Sequence, residues 1–217
     1  RMMTWLSCSG IVVRTVRRSE TLRILSLGAG VQSTTLALMH HEGLIEPFDH
    51  IIFADTQWEP QAVYDHLEHL SELMPITTVT AGDVRSFAPT FRAEGQTRFA
   101  SLPLWFEGKN GKINILRRQC TREYKVDVVE RTIRRKIVGL KPRQRMPKDV
   151  HIHQYMGFSY DEAGRASRTK DRFRATKWAD VHFPLFDDMM KRADCVRWLE
   201  ENAKVPHETP RSACVFC

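Results

Sequence analysis

Residues 24–35, Ile-Leu-Ser-Leu-Gly-Ala-Gly-Val-Gln-Ser-Thr-Thr, constrain the fold more than any other part of the chain. An apolar strand runs into a turn of small residues, and Ser33 and Thr34 then open a helix. Such a junction suits an anion, because glycine lets backbone N–H groups approach closely and the positive end of the helix dipole favours negative charge. Taken alone, a Gly-x-Gly turn after a strand also serves as a simple tight connection.

The alternation continues downstream. Residues 22–27 read as a buried strand, 33–41 as the helix after it, closed by Gly43, and 50–54 as a second apolar strand ending in Asp55. Val63, Leu67, Leu70 and Met74 follow at spacings of four, three and four, with Pro60 suited to a first helical turn. Residues 76–80 form a β-branched third strand and 154–158 a fourth. Strands alternating with helices predict an α/β protein with an open, mostly parallel twisted sheet covered by helices on both faces.

Between residues 82 and 119 the periodicity fails, and a long excursion of this kind is expected to be an active-site flap. Thr121 can then cap a helix carrying Val126, Val129, Ile133, Ile137 and Leu140, with Gly139 and Pro142 as its stop. At 100° per residue, Arg131, Arg134 and Arg135 share an outward, solvated face. Arg122 falls at the start of the buried face, where it wants an anion or a carboxylate.

At 217 residues with 42% hydrophobic content, the chain fits one domain. Residues 1–20 are basic and stand outside the pattern; they are expected to be a leader, an artefact or a frayed tail, with a transit peptide as a poorer choice, and 21–217 to be a single domain that can be truncated at its C-terminus. The longest apolar runs are too short to cross a bilayer and no secretory signal is evident, so a soluble cytoplasmic protein is expected. The net charge is +7, yet thirteen Lys/Arg between Lys112 and Lys148 face only Glu123, Asp127 and Glu130. Basicity this local fits contact with a nucleotide, an oxyanion or nucleic acid, and equally a solvated helix face.

The chemistry gathers at strand ends, where an open parallel sheet places its ligands. Asp55-Thr56-Gln57-Trp58-Glu59 can supply a carboxylate for Mg²⁺ or ribose and an aromatic wall for a base, or Asp55 can simply cap the next helix. A Gly-x-x-x-x-Gly-Lys-Ser loop is absent, which disfavours γ-phosphate transfer. Five cysteines without a secretory signal argue for thiols, metal ligation or redox chemistry rather than disulfides. Cys214 and Cys217 form a C-x-x-C pair, and Cys120 and Cys195 are distant partners, the usual arrangement for a four-thiolate site. An iron–sulfur cluster, a zinc ion and unligated thiols all remain open on spacing. Cys195 is the weakest member, since it can pack beside Leu199, and Cys8 stands outside the set. His151 and His153 alternate on a strand approach and are not assigned as ligands.

Together these pieces resemble the PP-loop, or adenine nucleotide alpha hydrolase, superfamily, and within it the phosphoadenosine phosphosulfate (PAPS) reductase-like proteins. Residues 28–34, Gly-Ala-Gly-Val-Gln-Ser-Thr, are similar to the family's Ser-Gly-Gly-x-Asp-Ser-Thr loop, and residues 53–58, Phe-Ala-Asp-Thr-Gln-Trp, to its second-strand Val-Asp-Thr-Gly-Trp motif. Residues 118–126 resemble its Cys-x-x-x-x-Lys segment, 157–165 its Gly-x-x-x-x-Glu-x-x-x-Arg turn, and Phe183-Pro184-Leu185 its Tyr-Pro-Leu.

The resemblance implies the Rossmann-like fold of that superfamily, across the chain from Leu22 onward. It implies an adenine nucleotide, ATP or adenylyl sulfate, held by Ser26, Gly28, Ala29, Gly30, Gln32, Ser33, Thr34, Asp55, Trp58, Gly157 and Glu162. Arg122, Lys125 and Arg165 would neutralise charge developing on phosphate or sulfate. Cys120, Cys195, Cys214 and Cys217 would hold an iron–sulfur cluster. The implied chemistry is sulfonucleotide reduction with a thioredoxin-type reductant, or ATP cleavage that adenylates a nucleic-acid or small acceptor; a non-catalytic binding module is the remaining alternative. Two departures stand out. Gly28 and Gln32 replace the family's loop serine and aspartate, which weakens Mg²⁺ assistance there. The family's reductases also attack sulfur with a C-terminal tail cysteine, and the sequence given stops at Cys217.

Overall fold

The computed structural model describes residues 20–87, 105–115, 119–202 and 208–215. In chain order the elements are β1 (Glu20–Leu27), α1 (Val31–His41), β2 (His50–Asp55), α2 (Gln61–Leu73), β3 (Ile76–Thr80), β4 (Trp105–Glu107), β5 (Ile113–Ile115), α3 (Asp127–Thr132), β6 (Val150–Met156), α4 (Ala163–Phe173), β7 (Ala179–His182), α5 (Pro184–Asp187) and α6 (Arg192–Asn202). Two π-helical turns, Thr121–Val126 and Ile133–Ile137, flank α3 and extend it at both ends.

Five strands form one sheet in the order β3-β2-β1-β6-β7, and every neighbouring pair is parallel. The chain steps outward from β1 to β3, then crosses to β6 on the other side of β1. Strand order therefore reverses between β1 and β6. The loops leaving those two strands diverge, which opens the crevice where such sheets bind ligands.

Because helices cover both faces, the central strands are apolar nearly throughout. Leu25, Leu27, Ile51 and Phe53 point to one face and pack with Leu36 of α1, Val63, Leu67 and Leu70 of α2, and Leu199 of α6. Leu22, Ile24, Ile52, Ala54, Val150 and Ile152 point to the other, against Val128 and Val129 of α3 and Ile133 and Ile137 just beyond it. Each fully buried aliphatic or aromatic side chain contributes about 1.5–3 kcal/mol relative to exposure. Among the described residues, no helix is long and apolar enough to cross a membrane.

Several expectations shift. Glu20, placed with the tail by its composition, already belongs to β1 and pairs with Val150; residues 1–19 lie outside the described residues. The fourth strand of the parallel sheet begins at Val150, four residues before the expected start, and ends at Met156, so Gly157 and Phe158 belong to the turn after it. The edge strand β7 was not expected at all. The aperiodic region holds the antiparallel hairpin β4–β5, turned through Gly111 at φ 72°; the rest of the expected flap lies largely outside the described residues.

Arg122 does not enter the core: its side chain is 80% exposed and faces Asp127 at 3.6 Å. The reason is the π turn, whose wider winding defeats a 100° count and brings Tyr124 inward instead. Arg134, expected to be solvated, is half-buried; it donates to the Gln144 carbonyl at 2.7 Å and lies 5.8 Å from the Trp178 ring centre.

One contact at the switch point is backbone on backbone. A Cβ at Gly157 would lie 2.6 Å from Ser33 N and 2.7 Å from Ser33 Cα. Gly157→Ala is therefore expected to lower stability by about 1–3 kcal/mol, the usual effect of overpacking, and urea denaturation followed by circular dichroism checks it.

Candidate functional site

The β1–α1 loop turns through Ala29, which is fully buried with φ 56°. The amides of Gly28 and Gly30 converge on Ser33 Oγ at 3.1 and 3.3 Å, and that hydroxyl donates to the Gly30 carbonyl at 3.2 Å. Both N–H groups are thus taken by the Ser33 hydroxyl at the α1 N-terminus, and an anion's oxygen would have to displace that hydroxyl to bind them.

From this loop a cavity of about 740 Å³ extends over the sheet between α3 and α4. Its floor is Ser26, Ile52, Ala54 and Gln154, with Gln154 Nε2 donating to Ser26 Oγ at 2.7 Å. Val129, Phe173 and Trp178 make an apolar end. Lys125, Arg165, Arg168, Arg172, Arg192 and Arg211 also line it, against the two acids Glu130 and Glu162. Its volume lies within the range of small-molecule sites.

Gln32 organises the polar rim. Its amide nitrogen donates to Ser159 Oγ and Glu162 Oε2, both at 3.2 Å, while its carbonyl accepts from Arg192 Nη1 at 3.0 Å. Glu162 pairs through Oε1 with Arg165 at 2.9 Å, and the Arg165 guanidinium stacks 4.3 Å from the Phe158 ring centre. Lys125 reaches Glu59 Oε1 at 3.1 Å; that carboxylate is 1% exposed and also accepts from Thr56 Oγ1 at 2.9 Å. The segment ending at Val215 crosses over the loop: Ser212 donates to the Gly28 carbonyl, and Val215 N donates to the Trp58 carbonyl at 2.9 Å.

Of the residues expected at a nucleotide site, Ser26, Gly28, Gly30, Gln32, Ser33, Gly157 and Glu162 line this cavity, as do Lys125 and Arg165. Arg122, Asp55, Trp58, Ala29 and Thr34 do not. Asp55 Oδ1 instead accepts from Gln57 N at 2.7 Å and Tyr64 Oη at 3.0 Å, which caps the chain into α2. Trp58 packs against Val84, Cys120 and Tyr124, and Thr34 Oγ1 meets His66 Nε2 at 2.9 Å inside the core.

Of the α4 arginines, Arg165 was expected at the site, whereas Arg168 and Arg172 escaped the sequence reading. Arg165, Arg168 and Arg172 recur at three and four residues, a signal that they share one helix face. Arg192, Arg211 and Ser212 come from elements whose approach to the loop leaves no local trace.

The expected metal residues separate. Cys195 is fully buried in the core shared by α1 and α6, beside Leu199, and burial pushes its thiol up to about 11. Cys120 lies in a different cluster, with Tyr124 and Val84. Its thiol is also raised, by burial first and then by the nearby Cys214. Cys217 lies outside the described residues. Cys120 and Cys214 thus approach one another while Cys195 packs elsewhere, so the described thiols do not fit a four-thiolate cluster that includes Cys195.

Mg²⁺ fits no better at the loop. Gln32 offers no charge, and Asp55, Glu59 and Glu162 are each engaged by the donors described above.

These environments predict an order of thiol reactivity. At pH 8 only about one Cys195 thiol in a thousand is ionised, so iodoacetamide is expected to label half-buried Cys214 well before buried Cys195, as peptide mapping by mass spectrometry will show.

Comparison of the chain with protein-family models, with curated proteins and with solved structures finds no match.

Proposed function

We propose that the chain is a PAPS reductase-like PP-loop enzyme with the Rossmann-like fold of that superfamily, which binds an adenine nucleotide and reacts at its α-phosphate or attached sulfate. The observation that carries this reading is the convergence of six cations on one cavity at the switch point, beside the glycine loop whose amides Ser33 holds. A polyanionic end and an apolar end within about 740 Å³ match a nucleotide's own division into phosphates and base.

In this reading the phosphates lie against the Gly28–Gly30 amides, Arg165 and Arg192, and the base lies toward Val129, Phe173 and Trp178. Guanidiniums fixed by Glu162 and Gln32 are preorganised, so they stabilise charge that develops on a leaving phosphate or sulfite without reorganising. Lys125, held by buried Glu59, adds a cation from the opposite wall. No thiol lines the cavity among the described residues. A sulfonucleotide reaction therefore takes its attacking thiolate from beyond this lining, in keeping with a thioredoxin-type reductant: the thiolate displaces the nucleotide from sulfur, and a second thiol releases sulfite as the disulfide forms.

A second reading, ATP cleavage that adenylates a nucleic acid, has its own support. A cleft of about 470 Å³ gathers Arg134, Arg143, Arg145, Lys148 and Lys177 with no acid in its lining, and Trp178 lines both this cleft and the cavity. Five cations beside an aromatic ring suit a phosphate backbone with a stacked base.

Incubating the protein with adenylyl sulfate and a dithiol, or with ATP and RNA, and assaying sulfite against pyrophosphate separates the two. Nucleotide binding is expected in either case. Arg165→Ala and Arg168→Ala are each expected to weaken it about tenfold, the loss of one charge-assisted contact, as isothermal titration calorimetry measures. Absence of both nucleotide binding and both products refutes the reading.

A further inference from the structure

On the sheet face opposite the cavity, β6 and β7 bring together side chains that the nucleotide site does not use. Ile152 packs in the α3-side core and Gln154 lines the cavity, so the alternation of a strand turns His151 and His153 the other way. His153 is paired in register with Asp180 on β7. His151 Nε2 lies 2.8 Å from Asp180 Oδ2, and one donor atom each from His151, His153 and Asp180 fall within 4.8 Å of one another. His182, two residues along β7, places Nε2 2.6 Å from His153 Nδ1.

From this geometry we infer a zinc-type divalent cation site formed by His151, His153 and Asp180, with water completing a tetrahedron. His182 is the outer partner that fixes the ring orientation of His153, which binds through the nitrogen it does not share with His182. Such a partner on the far ring nitrogen is the regular accompaniment of a histidine ligand. Tetrahedral bonds of 2.0–2.1 Å set ligand atoms about 3.3 Å apart. Reaching that spacing needs the His151–Asp180 pair at 2.8 Å to open slightly and the wider separations, up to 4.8 Å, to close, and His151 and Asp180 have room to adjust at 39% and 64% exposure.

The surroundings also select the ion. Lys148 and Lys177 line the adjoining cleft with His151, and Asp180 is the one carboxylate in the set. Net charge therefore gives little attraction, and imidazole donors favour Zn²⁺ or Co²⁺ over Mg²⁺ or Ca²⁺. The ion would clamp the four-residue edge strand β7 to β6, steadying Phe183, which stacks on Phe158 beneath Arg165.

The test is titration of the full chain with Co²⁺ and Zn²⁺, followed by cobalt absorption and thermal unfolding. One ion per chain is expected, with tetrahedral d–d bands, no thiolate charge-transfer band, and a raised Tm. His151→Asn and Asp180→Asn are expected to weaken the ion by more than about 100-fold, and His182→Asn by about 10–100-fold, with far-UV circular dichroism unchanged. Unaltered cobalt affinity in His151→Asn and Asp180→Asn, a spectrum dominated by thiolate charge transfer, or failure to bind either ion would overturn the site.

Discussion

The site depends on one contact, the backbone of Gly157 laid against the backbone of Gln32 and Ser33. Parallel strands whose connections depart in opposite directions leave a gap at their carboxyl ends, and a helix N-terminus can enter that gap only if the neighbouring strand's exit carries no side chain. Gly157 meets this condition between β1 and β6. With α1 drawn in this far, its first turn is within reach of the β6–α4 turn and of the start of α6. Gln32, Glu162 and Arg192 can then hydrogen-bond as one network although they are distant in the chain.

Gln32 has a particular effect in that network. A carboxylate at this position would draw Arg192 into an ion pair and repel Glu162. The neutral amide uses both of its ends instead, donating to Glu162 and accepting from Arg192, and leaves the arginine's charge uncancelled. The loop therefore gains positive potential, while losing a ligand for a hard metal ion.

The parts of this arrangement legible in the sequence were those with local causes. β2 and β3 are continuous apolar or β-branched runs, and α2 carries its core face at helical spacing, so their positions follow from neighbours in the chain. β7 was not legible, because Ala-Asp-Val-His buries only Ala179 fully, turns Asp180 outward and leaves Val181 and His182 half-buried, so no apolar alternation marks a strand. Arg122 was misplaced because a π turn changes the winding that the count assumed. The separation of Cys195 from Cys120 depends on which face of the sheet each helix covers, and spacing carries no information about that. Even so, the possibility that Cys195 simply packs beside Leu199 was visible from their i,i+4 relation, and the two share one core.

The charges in the cavity follow a division that bears on what it holds. Lys125 and Arg165 have carboxylate partners within 3.1 Å, in Glu59 and Glu162. Arg168, Arg172, Arg192 and Arg211 form no ion pair among the described residues, although all four line the same space. Paired cations cost little to assemble and serve mainly to fix geometry. Unpaired guanidiniums gathered in one cavity repel one another, and that repulsion opposes folding wherever solvent does not screen it. An anion entering the cavity would relieve what repulsion remains and pair with these guanidiniums on α4 and on the crossing segment that carries Arg211. All four are exposed, so solvent screens much of that repulsion, and their charge sets the positive sign of the potential in this space.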